Sequence, residues 1–446
     1  MQRLKDERFA NRVTWILLAT LVLMLGHWAW SRWQAPPTPA PTVADYFGDT
    51  AARADASTEA IIANLQTKLK TQPEDWVAHS QLGLAYLQKA RETANPAYYL
   101  KAEQALTTAL QHQPSNYAAL GGWGELALAR HDFSAALEFG ERARNLIPNR
   151  AYAYGLIADA QIELARYDAA AETLQRMVNL RPDLSSYSRI AYLRELHGDM
   201  EGAIEAMRQA VEAGGPRAEN TLWVRTQLGH LYFHSGRLAE AEAEYQLALA
   251  AQPDYVHALA GLARVRAVQG NWDEAIALYS TVTNRTPLAE YVIALGEVYE
   301  TAGRAEEAQK QFELAEAIDT LNRANGVNTD LELALLLAER GRAAEVVTSA
   351  REVYAQRPTT FAADVLAWAL YQTGNYHEAQ TYAQAALRLG AQDATKFFHA
   401  GMIEHALGNT TQAKHYLQQA LIINPYFSLR HAPQAQKILQ ELNAND

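Results

Sequence analysis

Small residues recur at fixed intervals along this chain, and that recurrence constrains its fold more than any other feature. Gly83, Gly124, Ala158, Ala191, Gly229, Ala263, Gly296, Ala334, Ala367 and Gly401 form one series. Ala102, Ala136, Ala170, Ala203, Ala241, Ala275, Ala308, Ala379 and Ala413 form a second, with Val346 as its one departure. In a third register, Pro114, Pro148 and Pro182 lie 34 residues apart, as do Pro253 and Pro287, and Pro358 and Pro425 close later units. Two helices that cross closely need small side chains at the crossing, and proline ends a helix because it lacks the amide proton that would continue it. Gly198, Gly236, Gly270, Gly303, Gly341, Gly374 and Gly408 fall between the first two series, where a chain must turn from one helix into the next. The three registers together predict tandem helical hairpins.

Within one unit the wording is QLGHLYFHSGRLAEAEAEYQLALAAQP over residues 227–253: Leu228, Gly229 and Tyr232, then Gly236, Ala241, Tyr245, Ala248 and Pro253. This spacing resembles the tetratricopeptide repeat, L-G-x-x-Y followed by A-x-x-x-F/Y and Pro in about 34 residues. The resemblance covers residues 76–427 and gives ten units, beginning near Trp76, Tyr117, Ala151, Leu184, Leu222, Val256, Ala289, Val327, Thr360 and Ala394. It implies an all-α fold, a right-handed superhelical solenoid of about ten helix pairs. Residues 57–75 read as an N-terminal capping helix, and 428–446 as a C-terminal capping helix and tail, since an exposed terminal repeat face would be apolar. The loop at 91–99 and the joins at 212–220 and 319–328 depart from the period and read as surface loops; the eighth unit carries the weakest pattern.

Stacked hairpins leave a concave wall, and in the resembled family that wall is lined by positions two, five, nine and twelve of each first helix. Carried onto this sequence, the resemblance implies a partner groove of Tyr152, Asp159 and Ile162; Trp223, Thr226, His230 and Phe233; His257 and Arg264; Phe361, Asp364, Trp368 and Tyr371; and Thr395, Phe398, Met402 and His405. Aromatic side chains there suit binding, because they bury large area at little rotamer cost. The family's best-known groove grips a terminal carboxylate with Lys and Asn, whereas only Arg264 and His257 offer cations here. An extended or helical protein segment is therefore the expected partner.

The amino-terminal 56 residues read differently. Residues 1–12 are a basic tail, and residues 13–31, VTWILLATLVLMLGHWAWS, contain no Asp, Glu, Lys or Arg. At 1.5 Å per helical residue this stretch reaches about 30 Å, the thickness of a bilayer's hydrocarbon core. The tryptophans at its end suit the headgroup level, and the basic residues before it place the amino terminus in the cytoplasm. Bulky WAWSRWQ stands where a signal-peptide cleavage site would need small residues, so the segment reads as a signal anchor. Residues 32–56, which contain QAPPTPAPT from Gln34, form a Pro-rich spacer. The expectation is a single-pass membrane protein of bacterial envelope type with its repeats outside the cytoplasm.

Composition narrows the chemistry. The absence of cysteine excludes disulfides, thiolate metal sites and thiol nucleophiles. A net charge of −11 disfavours a phosphate-binding surface, hence no nucleic acid is expected. No glycine-rich phosphate loop or nucleophile elbow is present. The chain reads as a non-catalytic scaffold without a cofactor, of undetermined oligomeric state. His230 and His234 share a helix face and His257 opens the next unit, which leaves a metal- or transport-linked accessory role as an alternative, although no matching carboxylate motif accompanies them. A further alternative is a layout like that of cytochrome c maturation factors, which join a membrane anchor to such repeats.

Overall fold

The computed structural model describes residues 57–444, apart from 216, 217, 330 and 332. The reading of residues 13–31 as a membrane span, with its flanking tail and spacer, lies outside the described residues; among these, no helix is long and apolar enough to cross a membrane. The described residues belong to one compact unit.

That unit is entirely helical. A lone helix α1 (Thr58–Thr71) precedes the hairpins α2/α3 (Trp76–Thr93, Ala97–His112), α4/α5 (Tyr117–Ala129, Phe133–Leu146), α6/α7 (Ala151–Glu163, Tyr167–Leu180) and α8/α9 (Leu184–Leu196, Met200–Glu212). There follow α10/α11 (Glu219–His234, Leu238–Ala251), α12/α13 (Val256–Val268, Trp272–Arg285) and α14/α15 (Ala289–Thr301, Ala305–Ala324). In the eighth hairpin α16 spans only Ala334–Leu337 and passes through a wide turn, Ala338–Arg342, into α17 (Ala343–Gln356). The hairpins α18/α19 (Thr360–Gln372, Tyr376–Leu387) and α20/α21 (Ala394–Ala406, Thr410–Ile423) and a last helix α22 (His431–Ala444) complete the order. Asp75, Asn116, Asp132, Asp183, Asp199, Thr359 and Asp393 cap first turns by accepting hydrogen bonds from backbone amides.

The periodic small residues lie at the helix crossings. In the second series Ala102, Ala136, Ala170, Ala203, Ala241, Ala275, Ala379 and Ala413 are fully buried, and Ala308 and Val346 nearly so. In the first series most glycines lie under a large residue of the following helix: a Cβ on Gly83 would come within 2.5 Å of Leu106 Cγ, one on Gly296 within 2.5 Å of Phe312 Cε1, and one on Gly401 within 2.8 Å of Leu417 Cγ, while Gly124 faces Leu156 of the next hairpin. The missing side chain is thus replaced by its partner's, which holds native packing density across the crossing. Most hairpins turn on a glycine at positive φ, such as Gly270 at 81°, but in the second and third hairpins His131 and Ala165 occupy that conformation at 58°.

The row of hairpins coils until it meets itself. Asn328 donates its backbone N–H to Arg130 O at 2.9 Å, and His131 Nδ1 lies 2.7 Å from Asn328 O. One hairpin later, Thr360 N–H donates to the Tyr167 hydroxyl at 3.3 Å, and Arg357 pairs with Glu163 at 3.7 Å. Gly198 abuts the carbonyl of Gly390, leaving no room for a side chain. Asn424 Nδ2 donates to Phe233 O at 3.0 Å. Each contact joins a hairpin to the element six hairpins further on, so about six hairpins complete one turn.

Candidate functional site

Coiling leaves an open-sided chamber of about 930 Å³, larger than most drug-sized pockets. Its wall comes mainly from successive first helices: Ser188, Tyr192 and Glu195 of α8; Trp223, His230 and His234 of α10; His257 and Arg264 of α12; Glu290, Ile293, Glu297 and Glu300 of α14. The far side is closed by Glu339 and Arg340 of the wide turn, by His399 of α20 and by the segment Tyr426–His431 that leads into α22.

The carboxyl-terminal segment is fastened from several directions. Arg430 Nη1 lies 3.2 Å and His431 Nε2 3.1 Å from the Glu339 carboxylate. The His431 ring stacks on Phe398 with centroids 4.6 Å apart, and Phe427 packs on the same ring at 5.7 Å. Enclosure opposes ionisation of Glu339, but the hydrogen bond and charge of His431, with Arg430 beside it, hold its carboxyl below the ordinary carboxylate range.

Trp223, His230, His257, Arg264 and Thr395 are the residues of the expected groove that line this chamber. Trp223 is 42% exposed. Tyr152 and Asp159 lie between neighbouring first helices, where the Tyr152 hydroxyl donates to Glu125 at 2.8 Å and Asp159 receives both ends of the Arg189 guanidinium at 2.8 Å. Phe361 and His405 are exposed but elsewhere on the surface, and Tyr371 is half-buried, stacked on Trp368. Ile162, Thr226, Phe233, Asp364, Trp368, Phe398 and Met402 correct the expectation, for they are buried in the helix layer and present no surface to a partner. In the ninth and tenth hairpins His431 at the start of α22 stacks on Phe398 and lies 5.7 Å from Trp368, and Ala432, Ala435, Ile438, Leu439 and Leu442 of α22 belong to the same core as Trp368, Phe398 and Met402. Asp364 is consumed by His399, whose Nδ1 lies 3.0 Å away, and Ile162 packs beneath Leu389 of the next turn.

The three histidines singled out for metal each have a partner of their own. His230 Nδ1 lies 2.8 Å from the Tyr245 hydroxyl, His234 Nδ1 3.2 Å from Glu195, and His257 Nδ1 2.5 Å from the Tyr291 hydroxyl. Among the described residues no group of three or more His, Asp or Glu is arranged to hold a metal ion. Enclosure, with His234, Arg264 and His257 around it, lowers the His230 imidazole to about 3, so it is neutral at physiological pH. Arg264 lies over the Phe233 ring at 4.1 Å and 3.5 Å from His234 Nε2.

The acidic side of the chamber lay outside the expected groove. Glu300 is engaged by Arg340 at 3.4 Å and Glu195 by His234, but among the described residues the Glu297 side chain has no hydrogen-bond or ion-pair partner. It opens onto the chamber and is exposed to solvent there. The protein around it and the nearby Glu339 raise its carboxyl, against the pull of Arg264. The signal was available: positions two, five, nine and twelve of the seventh unit are Glu290, Ile293, Glu297 and Glu300, all of them on the wall.

Tetratricopeptide repeat models match residues 127–195, 232–295 and 365–426. Together with the nested hairpins they identify the class: this chain is a tetratricopeptide repeat protein. Anaphase-promoting complex subunit 7 of Arabidopsis thaliana is 24% identical over 186 residues, which are 42% of this chain and 33% of that subunit. The chain thus spans about a third of that relative's length. Among solved structures, a thermophilic repeat protein of Thermus thermophilus is 23% identical, covering 38% of this chain and 92% of its own at a TM-score of 0.34. The Cut9–Hcn1 hetero-tetramer is 15% identical and covers 90% of both chains at a TM-score of 0.40.

Proposed function

We propose that this chain is a non-catalytic scaffold that holds a segment of another protein against the inner wall of its coil. The observation that carries this reading is the chamber itself: four consecutive first helices turn polar and aromatic side chains inward, and Trp223 there remains open to contact. A large aromatic with free surface beside charged groups is the composition of an interaction hot spot. The match to a subunit that is, by its name, part of a larger complex agrees with an assembly role. The apolar stretch at 13–31 and the proline-rich spacer after it support presentation of the repeats from a membrane, outside the cytoplasm.

A photoreactive amino acid placed at Trp223, and separately at Leu247 on α11 outside the chamber, tests the reading in the native membrane. Crosslinking of one protein from position 223 and none from 247 supports it; capture from 247 alone, or equally from both, refutes it. A reporter fused after Asp446 that functions only in the cytoplasm would overturn the orientation.

A further inference from the structure

Three large aromatic side chains open onto the chamber: Tyr192 of α8, Trp223 of α10 and Tyr426 of the carboxyl-terminal segment, 43%, 42% and 39% exposed. Each ring carries a donor at its edge, the indole N–H or a phenol O–H, and none of these three groups has a hydrogen-bond partner among the described residues. The rings are spread along α10. Trp223 lies near the start of that helix, and Asn424, two residues before Tyr426, is bonded to Phe233 O near its end. Tyr192 holds the ninth position of the neighbouring first helix, between these levels. From Trp223 to Phe233 the helix rises about 15 Å at 1.5 Å per residue.

An occupant of this wall must offer apolar surface to the rings and acceptors to their donors, without bringing many N–H groups of its own. A proline-rich strand meets all three conditions. Proline has no N–H, polyproline II makes no internal hydrogen bonds and keeps its carbonyls outward, and docking of such strands on aromatic-lined grooves is a general mode of peptide recognition. An α-helix spends its carbonyls on its own amides and leaves the ring donors without acceptors. At about 3.1 Å per residue, five steps of polyproline II cover the same stretch of about 15 Å. Charge narrows the partner further. Five glutamates and three arginines line the chamber, with no lysine or aspartate, which disfavours an acidic segment and suits a basic residue beside the prolines.

We infer that the partner of this chamber is a proline-rich protein segment bearing a basic residue, bound as a polyproline II strand along α10 on the rings of Tyr192, Trp223 and Tyr426. The inference rests on the scaffold reading and adds to it the chemistry of what is held.

The test titrates the full chain against three fluorescently labelled peptides and reads their anisotropy: a short peptide of proline and alanine with one arginine, the same peptide with every proline replaced by alanine, and the same peptide with glutamate for arginine. The first should bind saturably. Loss of its prolines or reversal of its charge should weaken binding at least about tenfold, as should Trp223→Ala combined with Tyr426→Ala, while Leu247→Ala outside the chamber changes nothing. Both rings stand at the surface, so their truncation leaves the core in place, and the peptide series needs no variant at all. No saturable binding, equal binding of the proline-free or the acidic peptide, or undiminished binding by the double variant overturns the inference. It fails separately from the scaffold reading. A protein captured from position 223 through a stretch without prolines leaves the scaffold standing and overturns the proline-rich partner; peptide binding without any captured protein does the reverse.

Discussion

Replacing Gly229 by alanine adds one methyl group where none fits. The new Cβ would lie 2.8 Å from Tyr245 Cδ1 and 2.9 Å from Cζ, closer still to Cε1, where ordinary contacts exceed 3.4 Å. The ring cannot step aside. A Cβ on Gly261 of the next hairpin would come within 2.5 Å of the same ring, Tyr245 is fully buried, and its hydroxyl is held by His230. Overpacking costs about 1–3 kcal/mol, and contacts this short against a ring that cannot move belong to the upper part, about 2–3 kcal/mol; alanine gains about 1 kcal/mol over glycine in a helix interior, so a net loss of about 1–2 kcal/mol is expected. Stacked repeats can unfold in parts, so urea denaturation should be accompanied by hydrogen exchange across α10–α12. Tyr245→Leu vacates the contested space, and the cycle formed with Gly229→Ala should show a favourable coupling of at least about 1 kcal/mol. A Gly229→Ala protein as stable as the parent, or losses that simply add, would refute the nesting argument.

Asn424→Ala removes the hydrogen bond to Phe233 O that joins α10 to the end of the tenth hairpin, and should cost about 1 kcal/mol; exchange should quicken together at 229–236 and 424–431 and stay unchanged in α1–α5. His230 has a folded value of about 3, below its ordinary 6.5, so the unfolded chain takes up a proton that the fold excludes, and stability falls as pH drops from about 6.5 toward 3. Denaturation midpoints over that range should fall less steeply in His230→Gln.

The hairpins were legible because their cause is local. Gly229 and Ala241 announce a helix crossing whatever lies further along the chain, and both are buried at one. The self-contact of the coil was not legible, since it is made largely by backbone groups, such as Asn328 N–H on Arg130 O, that carry no side-chain signature. It also depends on a small rotation summed over six hairpins. The wall of the chamber was half legible. The positional rule succeeds on α8, α12 and α14, whose residues line the chamber, and fails on α18 and α20, where Trp368 and Phe398 are buried in one core with His431 against them. The weak eighth unit has a physical reading too: its wide turn carries Glu339 to Arg430 and His431.

The chamber exists only if successive turns of the coil touch, and a paired-cysteine experiment tests that directly in a chain with no native cysteine. Residues 130–131 and 328 lie one backbone hydrogen bond apart, within the reach of a disulfide. His131→Cys combined with Asn328→Cys should form an intramolecular crosslink under mild oxidation, seen as a faster-migrating, reducible band that neither single variant gives. Two thiols that stay free, or that pair only between molecules, would contradict the closed coil.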